Sequence, residues 1–424
     1  MPHYNLRDVF GVYPTPPRQT YVDRAGYDER LKDLLETGRH LVIYGPSKQG
    51  KTALRSRAIP DERCIIIQSR QRPDTEAIYS EILRQIGTQR TVNNEVTKGG
   101  EVSVTGGGSG GINIPFIGKG DAKLEGQAAI SGETKTTTEP IGNSPSTLSF
   151  VAEEIRKSGR RVVVEDFHYI PEPAKRAFAF DLKALFEYGI PVILIGAWEE
   201  QHVLAAYNGD LTGRVEEINL RWTDRELRQI LELGQTALNI AFSTEIIREI
   251  ISDASGNVGL LQRIAEKICR EAGCSRTESG DTLTISDMGL LNAARQHICS
   301  EEAVRYRNFG WSVTEGFPTS GERTKAVYMS IIQVCVEAAE AELLAGLHQD
   351  QIIERIRAIN SSITARNVRD ALMLIDKLQS EKSIYPVIAT FNITSRRLNL
   401  ADRELLFYRK YGDPSWPWDD SEDE

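Results

Sequence analysis

Gly45-Pro46-Ser47-Lys48-Gln49-Gly50-Lys51-Thr52 satisfies the pattern G-x-x-x-x-G-K-[ST], and its flanks decide how the pattern is read. The apolar run His40-Leu41-Val42-Ile43-Tyr44 leads straight into it, and Thr52-Ala53-Leu54-Arg55 has the composition of a helix start. Strand, glycine loop and helix in that order make a phosphate-binding loop. Gly45 and Gly50 let the backbone curl until successive N–H groups point at one anion, and the helix N-terminus adds its positive end. Gly45, Pro46, Ser47, Lys48, Gln49, Gly50 and Ala53 are therefore the candidate cradle. Lys51 would reach the β- and γ-phosphates of ATP, and the Thr52 hydroxyl would hold Mg²⁺.

Such a loop needs acids on a neighbouring strand, because metal and attacking water must both stand beside the γ-phosphate. Arg161-Val162-Val163-Val164-Glu165-Asp166-Phe167-His168 supplies strand residues and then two carboxylates, a Walker B pattern. By order alone Glu165 falls on the metal side and Asp166 on the water side. The usual order places Asp first, so this one predicts exchanged roles or slow hydrolysis. His168 is either an ordinary loop histidine or a group that orients the second carboxylate. Continuous apolar runs at 63–68, 161–164 and 191–196 alternate with helical patterns at 28–37, 78–86, 145–157 and 172–188. Runs of this kind belong to parallel strands covered on both faces, so the expected class is α/β, a P-loop sheet sandwiched by helices.

The 424 residues are enough for two or three domains. No apolar run approaches the ~18–20 residues needed to span a bilayer, and the first residues lack a secretory h-region. The five cysteines show no metal-site spacing and read as small buried hydrophobes in a reducing cytoplasm. A net charge of −9 gives no global support for nucleic-acid binding.

Composition divides the chain into a core at 1–222, a helical lid at 223–275, a connecting region of mixed pattern at 276–322, and a further unit at 323–411. The acidic, aromatic tail at 412–424 follows. Residues 98–142, rich in Gly, Ser and Thr, read equally as thin β-hairpins or as a mobile insertion. The unit at 323–411 shows three helical patterns (325–343, 349–359, 364–379) and then two strand-like runs (385–391, 405–409), the outline of a winged helix-turn-helix. Arg366 and Arg369 fall on its third helix, and Arg396, Arg397 and Arg403 in or near the wing, as candidate DNA contacts. With thirteen basic against ten acidic residues in this unit, a protein-binding role stands beside DNA. Trp416-Pro417-Trp418 reads as a docking peptide or a disordered tail.

Tyr21-Val22-x-Arg24, the phosphate loop, Val162–Asp166, the strand at 190–196, Gly256-Asn257-Val258-Gly259-Leu260-Leu261 and the winged helix occur in this order. In that order the chain resembles the AAA+/STAND group of P-loop ATPases, particularly initiator-type and signalling ATPases of archaea and bacteria. The resemblance implies ATP and Mg²⁺ held between core and lid, with the adenine near Tyr21 and Val22 and with Val258 contributed by the lid. It also implies a homo-oligomer, in which Arg214 of Thr212-Gly213-Arg214-Val215 is either an arginine acting in trans or a surface salt-bridge partner. The chain departs from the family at Gly196-Ala197-Trp198, which has no polar sensor unless Glu199 substitutes. It departs again in the lid, where Arg263 lies one turn beyond the expected arginine. These departures favour slow hydrolysis to ADP and phosphate, and hence a nucleotide-driven oligomerisation or partner-recruitment switch. By analogy it would serve bacterial defence or signalling, with the insertion, winged helix or tail as output. The alternatives are a DNA-binding initiator or transposition-type ATPase, and a non-hydrolysing nucleotide-binding scaffold.

Overall fold

In the computed structural model a short helix, α1 (Leu6–Val9), precedes α2 (Tyr27–Glu36) and strand β1 (His40–Tyr44), whose five residues are all buried. The residues described are 2–13, 16–24, 26–69, 74–88, 144–199 and 201–419; the expected insertion at 98–142 and residues 420–424 lie outside them. β1 runs through the glycine loop into α3 (Lys51–Ala58). β2 (Cys64–Gln68), α4 (Thr75–Ile86), α5 (Leu148–Ser158), β3 (Arg161–Glu165) and α6 (Glu172–Glu187) follow. β4 (Val192–Ile195), α7 (Val203–Tyr207) and β5 (Val215–Asn219) complete the core. The strands are parallel in the order β2-β3-β4-β1-β5. α4, α5 and α6 bury apolar side chains on one face of the sheet, α2 and α3 on the other. Two covered faces explain why the strands read as unbroken apolar runs.

His40 opens β1 with no exposed surface. Its Nε2 lies 2.8 Å from the Leu182 carbonyl, and Val192 N–H donates to its Nδ1 at 3.0 Å. Both contacts suit the neutral ring. Burial pushes its pKa down to about 4, against the opposing pull of the Leu182 carbonyl. The unfolded chain therefore takes up a proton that the folded ring refuses. This contribution to stability is complete above the unfolded value of about 6.5 and is lost as pH falls to about 4, a total of roughly 3 kcal/mol. Denaturant melts at pH 7.5 and 4.5 should show this loss, and His40→Gln should lack that part of the slope. An equal slope in the variant would exclude His40 as its source.

The lid comprises α8 (Asp224–Leu238), β6 (Ile240–Phe242), α9 (Thr244–Ala254) and α10 (Val258–Glu271). β7 (Leu283–Ile285) pairs with β6 in parallel. Thr223 and Glu226 cap α8 reciprocally, satisfying two N–H groups that the helix leaves open. The N-terminal segment, grouped with the core on composition, is built into this lid. Leu6 N–H donates to the Ser275 carbonyl at 2.9 Å and Gly11 N–H to Gln262 Oε1 at 3.2 Å. The Phe10 ring lies so close to Gly234 that a Cβ there would stand 2.0 Å from it.

The connecting region of mixed pattern at 276–322 is largely one helix of 27 residues, α11 (Met288–Thr314). It packs against α10 and then against two helices of the C-terminal unit, α12 (Glu322–Glu337) and α16 (Glu404–Tyr411). A helix that buries different faces along its length shows no single apolar stripe, which hides it from periodicity.

After α12 come α13 (Glu340–Ala345), β8 (Leu347–His348), α14 (Gln349–Ile359) and α15 (Ala365–Glu381). β9 (Ala389–Asn392), β10 (Arg397–Leu400) and α16 (Glu404–Tyr411) complete this unit. The three strands form an antiparallel sheet in the order β8-β10-β9 beside the helices, a winged-helix arrangement. One expected strand is corrected: Leu405–Arg409 is helical, and the second wing strand is Arg397–Leu400. Leu405, Leu406, Phe407 and Tyr408 are all buried, and a short run apolar on every side reads alike as buried strand or buried helix. A single apolar core runs from α1 through the lid and α11 into the winged helix. Trp416 is also buried, stacked on Trp418 at 5.7 Å and set against Gly310 of α11, so the tail aromatics dock on their own chain.

All five cysteines are buried and free. No helix among the described residues is long and apolar enough to cross a membrane.

A candidate nucleotide site between core and lid

The glycine loop leaves the carboxyl end of β1, where open α/β sheets bind ligands. Gly45 has φ +138°, and a Cβ there would stand 2.4 Å from the Leu220 carbonyl oxygen, so a side chain is excluded twice over. Gly50 (φ +81°) and Lys48 (φ +58°) are also left-handed, which turns the loop amides inward. Arg24, predicted only as part of an N-terminal motif, braces the loop and also lines the cavity before it. Its guanidinium lies 3.6 Å over the Trp222 ring, and Trp222 Nε1–H donates to the Gln49 carbonyl at 3.1 Å.

In front of the loop is a cavity of about 510 Å³, within the range of small-molecule sites. Ser47, Lys48, Gln49, Gly50, Lys51, Thr52 and Ala53 line it. Tyr21, Val22 and Val258 line it too, joined by Gly11, Tyr13 and Gln262, and the start of α10 touches the loop where Gly259 N–H donates to the Lys48 carbonyl at 3.2 Å. Gln262 ties the N-terminal segment to α10: its Oε1 accepts from Gly11 N–H and its Nε2 donates to Thr20 Oγ1 at 3.0 Å. The Tyr21 hydroxyl is held by Asp28. Gly45 and Pro46 sit behind the lining, where their carbonyls accept from Lys51 Nζ at 3.0 and 2.6 Å. Burial pushes the Lys51 ammonium down to about 8, opposed by the Asp166 and Glu199 carboxylates.

Glu165 ends β3, and its Oε2 accepts from the Thr52 hydroxyl at 3.4 Å. These are hard oxygen donors, and Mg²⁺ commonly takes one or two carboxylates together with phosphate oxygens and water. The pair fits that ion. Among the described residues no three His, Cys, Asp or Glu side chains converge as a metal cage. Asp166 follows at φ +56°, a conformation that Asp tolerates better than most residues, and it lines the same cavity. His168 also lines the cavity, and Ala197 N–H at the end of β4 donates to its Nδ1 at 3.2 Å. The only side chain of Gly196-Ala197-Trp198 with a polar atom is Trp198, and it stacks on Tyr44 at 5.9 Å. Glu199 pairs with Arg221 and Arg403.

Two candidate arginines lie elsewhere. Arg263 is bound by Glu301, Glu302 and Glu404 at 2.8–2.9 Å, so it does not supply the missing lid arginine. Arg214 precedes β5 at the end opposite the glycine loop, since Val215 pairs with His40 and Asn219 with Tyr44. At ~3.3 Å per residue it is roughly 15 Å from its own loop. Its guanidinium bonds the Asp210 carbonyl and lies over Phe186.

The winged helix reaches the loop directly, which sequence motifs do not indicate. Ser47 N–H donates to the Ala401 carbonyl at 3.3 Å, and Lys48 Nζ pairs at 2.7 Å with Glu404, a carboxylate only 1 % exposed. Tyr385 packs edge-on against Tyr169 at 5.6 Å, and Pro386 lines the cavity. Lys48 and Glu404 lie 356 residues apart in sequence, and no local signal could have paired them.

No family model matches the sequence, and no curated protein matches it. The structure is similar to the Walker-type ATPase of Pyrococcus abyssi, with TM-score 0.52 and 12 % identity over 95 % of this chain and 99 % of that one. This chain has a P-loop ATPase fold. Two further solved structures align along nearly the whole chain at lower similarity. The Aeropyrum pernix Orc1 protein in complex with DNA has TM-score 0.44 and 15 % identity over 97 % of both chains. The Thermotoga maritima RuvB Holliday junction branch migration motor has TM-score 0.37 and 10 % identity over 92 % of this chain and 96 % of that one.

Proposed function

We propose that the protein is an ATP-binding switch that hydrolyses ATP slowly and whose winged helix reports the state of the phosphate loop. One observation carries this reading: the loop groups that would face phosphate, Ser47 N–H and Lys48 Nζ, are engaged by Ala401 and Glu404 of the C-terminal unit. An anion seated in the loop competes for both, so nucleotide and winged helix are coupled through shared donors. In this reading Lys51 neutralises β- and γ-phosphate charge, and Tyr21, Val22 and Val258 enclose the adenine. Thr52 and Glu165 hold Mg²⁺, which when bound screens the phosphate oxygens. Asp166 orients the attacking water, with His168 steadying the loop beside it. Arg214, remote from its own loop, serves the site of a neighbouring copy, which makes the active form a homo-oligomer. Slow turnover is supported by the engagement of Arg263 and by the lack of a polar side chain at Gly196-Ala197.

Mass in solution, measured with and without ATP, and Mg²⁺-dependent phosphate release test the reading together. The expected result is slow release, abolished in Asp166→Ala, and a larger species with ATP. Binding without release would leave the scaffold alternative, and an unchanged monomer saturated with ATP would remove the oligomeric switch.

A second reading, contact with duplex DNA, is favoured by Arg366, whose side chain is 90 % exposed at the start of α15, and by Arg369 in a shallow groove between α14 and α15. Arg396 stands at the wing turn, whereas Arg397 is engaged by the Gly346 carbonyl at 2.6 Å. Exposed Met373 and Leu374 on α15 suit a protein partner instead. Duplex binding that weakens steeply with salt and is lost in Arg366→Ala/Arg369→Ala would establish DNA contact, and no binding at low salt would remove it.

A further inference from the structure

Arg55 heads the large side chains fully buried among the described residues, at 2 % exposure. It lies on α3 three residues after Thr52, on the same face of the helix. One terminal nitrogen is 3.1 Å from Glu165 Oε1, and another bonds the exposed carboxylate of Asp61. The other Glu165 oxygen, Oε2, meets Thr52 Oγ1 at 3.4 Å and Gln68 Nε2 at 3.3 Å. The Walker B carboxylate is thus divided: one oxygen is committed to a guanidinium, the other faces the position where phosphate and metal would meet. Nothing in the glycine-loop or acid motifs calls for a cation at residue 55.

We propose that Arg55 is a resident counter-ion and positioning residue for Glu165, allowing nucleotide to bind with little dependence on Mg²⁺. The proposal rests on the nucleotide-site reading above. A bare carboxylate a few Å from the phosphates repels them, and in a site removed from water that repulsion is poorly screened. A metal ion ordinarily supplies the compensating charge. Here a guanidinium on the far oxygen supplies part of it permanently, and it also fixes the carboxylate so that Oε2 points at Thr52. Arg suits this role because it stays charged when buried.

The test is the equilibrium affinity for a fluorescent ATP analogue, measured in excess Mg²⁺ and again in excess EDTA. For the wild type the two affinities should agree within about threefold, because charge compensation is already in place. In Arg55→Met the metal-free affinity should fall about tenfold or more while the Mg²⁺ value stays near wild type. Arg55→Met/Glu165→Gln should restore metal independence. Glu165→Gln alone, which keeps the cation and loses the carboxylate charge, should bind the analogue more tightly than wild type without metal. If Arg55→Met does not fold, Arg55→Gln, which keeps a donor toward Glu165 but loses the charge, carries the test, and its metal-free affinity should fall in the same way. A purely structural Arg55 would leave the Mg²⁺-to-EDTA ratio of Arg55→Met, or of Arg55→Gln, at the wild-type value, and that result overturns the proposal. So does a wild type that needs Mg²⁺ as strongly as Arg55→Met. If the wild type binds no analogue under either condition, the nucleotide-site reading itself fails, and this inference with it.

Discussion

Lys51→Ala is expected to lower ATP affinity by about two to three orders of magnitude without destabilising the unliganded protein. The first part follows from position: Lys51 Nζ sits against Gly45 and Pro46 carbonyls at the root of the loop. Losing one preorganised donor to an oxyanion costs about 10²–10³-fold in the rates of other enzymes, and the same order is expected here for binding because the phosphate charge is already present in the ground state. The second part follows from the direction of its pKa. Burial holds the ammonium down near 8, so below that pH the folded chain carries a charge it would rather release. Unliganded stability should therefore rise with pH above about 8, up to the ordinary lysine value near 10.4. Lys51→Ala should remove that rise. Calorimetric titration with ATP and thermal melts of the same samples measure both effects. A variant that binds ATP normally contradicts the assignment of the loop, and one that melts well below wild type contradicts the electrostatic argument.

Glu404→Ala is expected to release the winged helix from the phosphate loop. Glu404 is buried and faces two cations, Lys48 at 2.7 Å and Arg263 at 2.8 Å. Breaking a buried pair by removing one partner commonly costs about 3–5 kcal/mol, because the remaining charge is left without its counter-ion. Stability should fall by an amount of that order, since α16 belongs to the core shared with the lid. ATP affinity should move the other way, rising roughly tenfold, because Lys48 becomes free to meet phosphate. A protein of lower stability and higher affinity is a combination that general damage does not produce. If affinity falls along with stability, Glu404 does not compete with nucleotide.

The parts of this fold legible in sequence are those carried by local pattern. The glycine loop, the β3 acids and the unbroken apolar strands each announce themselves within ten residues, and the structure places them at one end of one parallel sheet. The less legible parts depend on distant partners. α11 hides because its buried face changes along its length, and α16 passes for a strand because every side of a short run is covered. The Lys48–Glu404 pair and the Gln262 tether to Gly11 join residues hundreds of positions apart. Arg55 was visible as a residue, but its partnership with Glu165 needed the packing of α3 on β3 to appear.

The claim that nucleotide and winged helix share the loop can be measured as a distance. All five native cysteines are buried, so spin labels can be directed to introduced cysteines at Phe180 on α6 and Met373 on α15, which are 62 % and 50 % exposed. Pulsed electron spin measurements without nucleotide and at saturating ATP then report the core-to-wing separation. ATP is expected to shift or broaden that distribution, and Lys51→Ala, at an ATP concentration that saturates only the wild type, to keep the unliganded one. A wild-type distribution that is identical with and without ATP, in a sample shown to have bound it, would contradict the coupling.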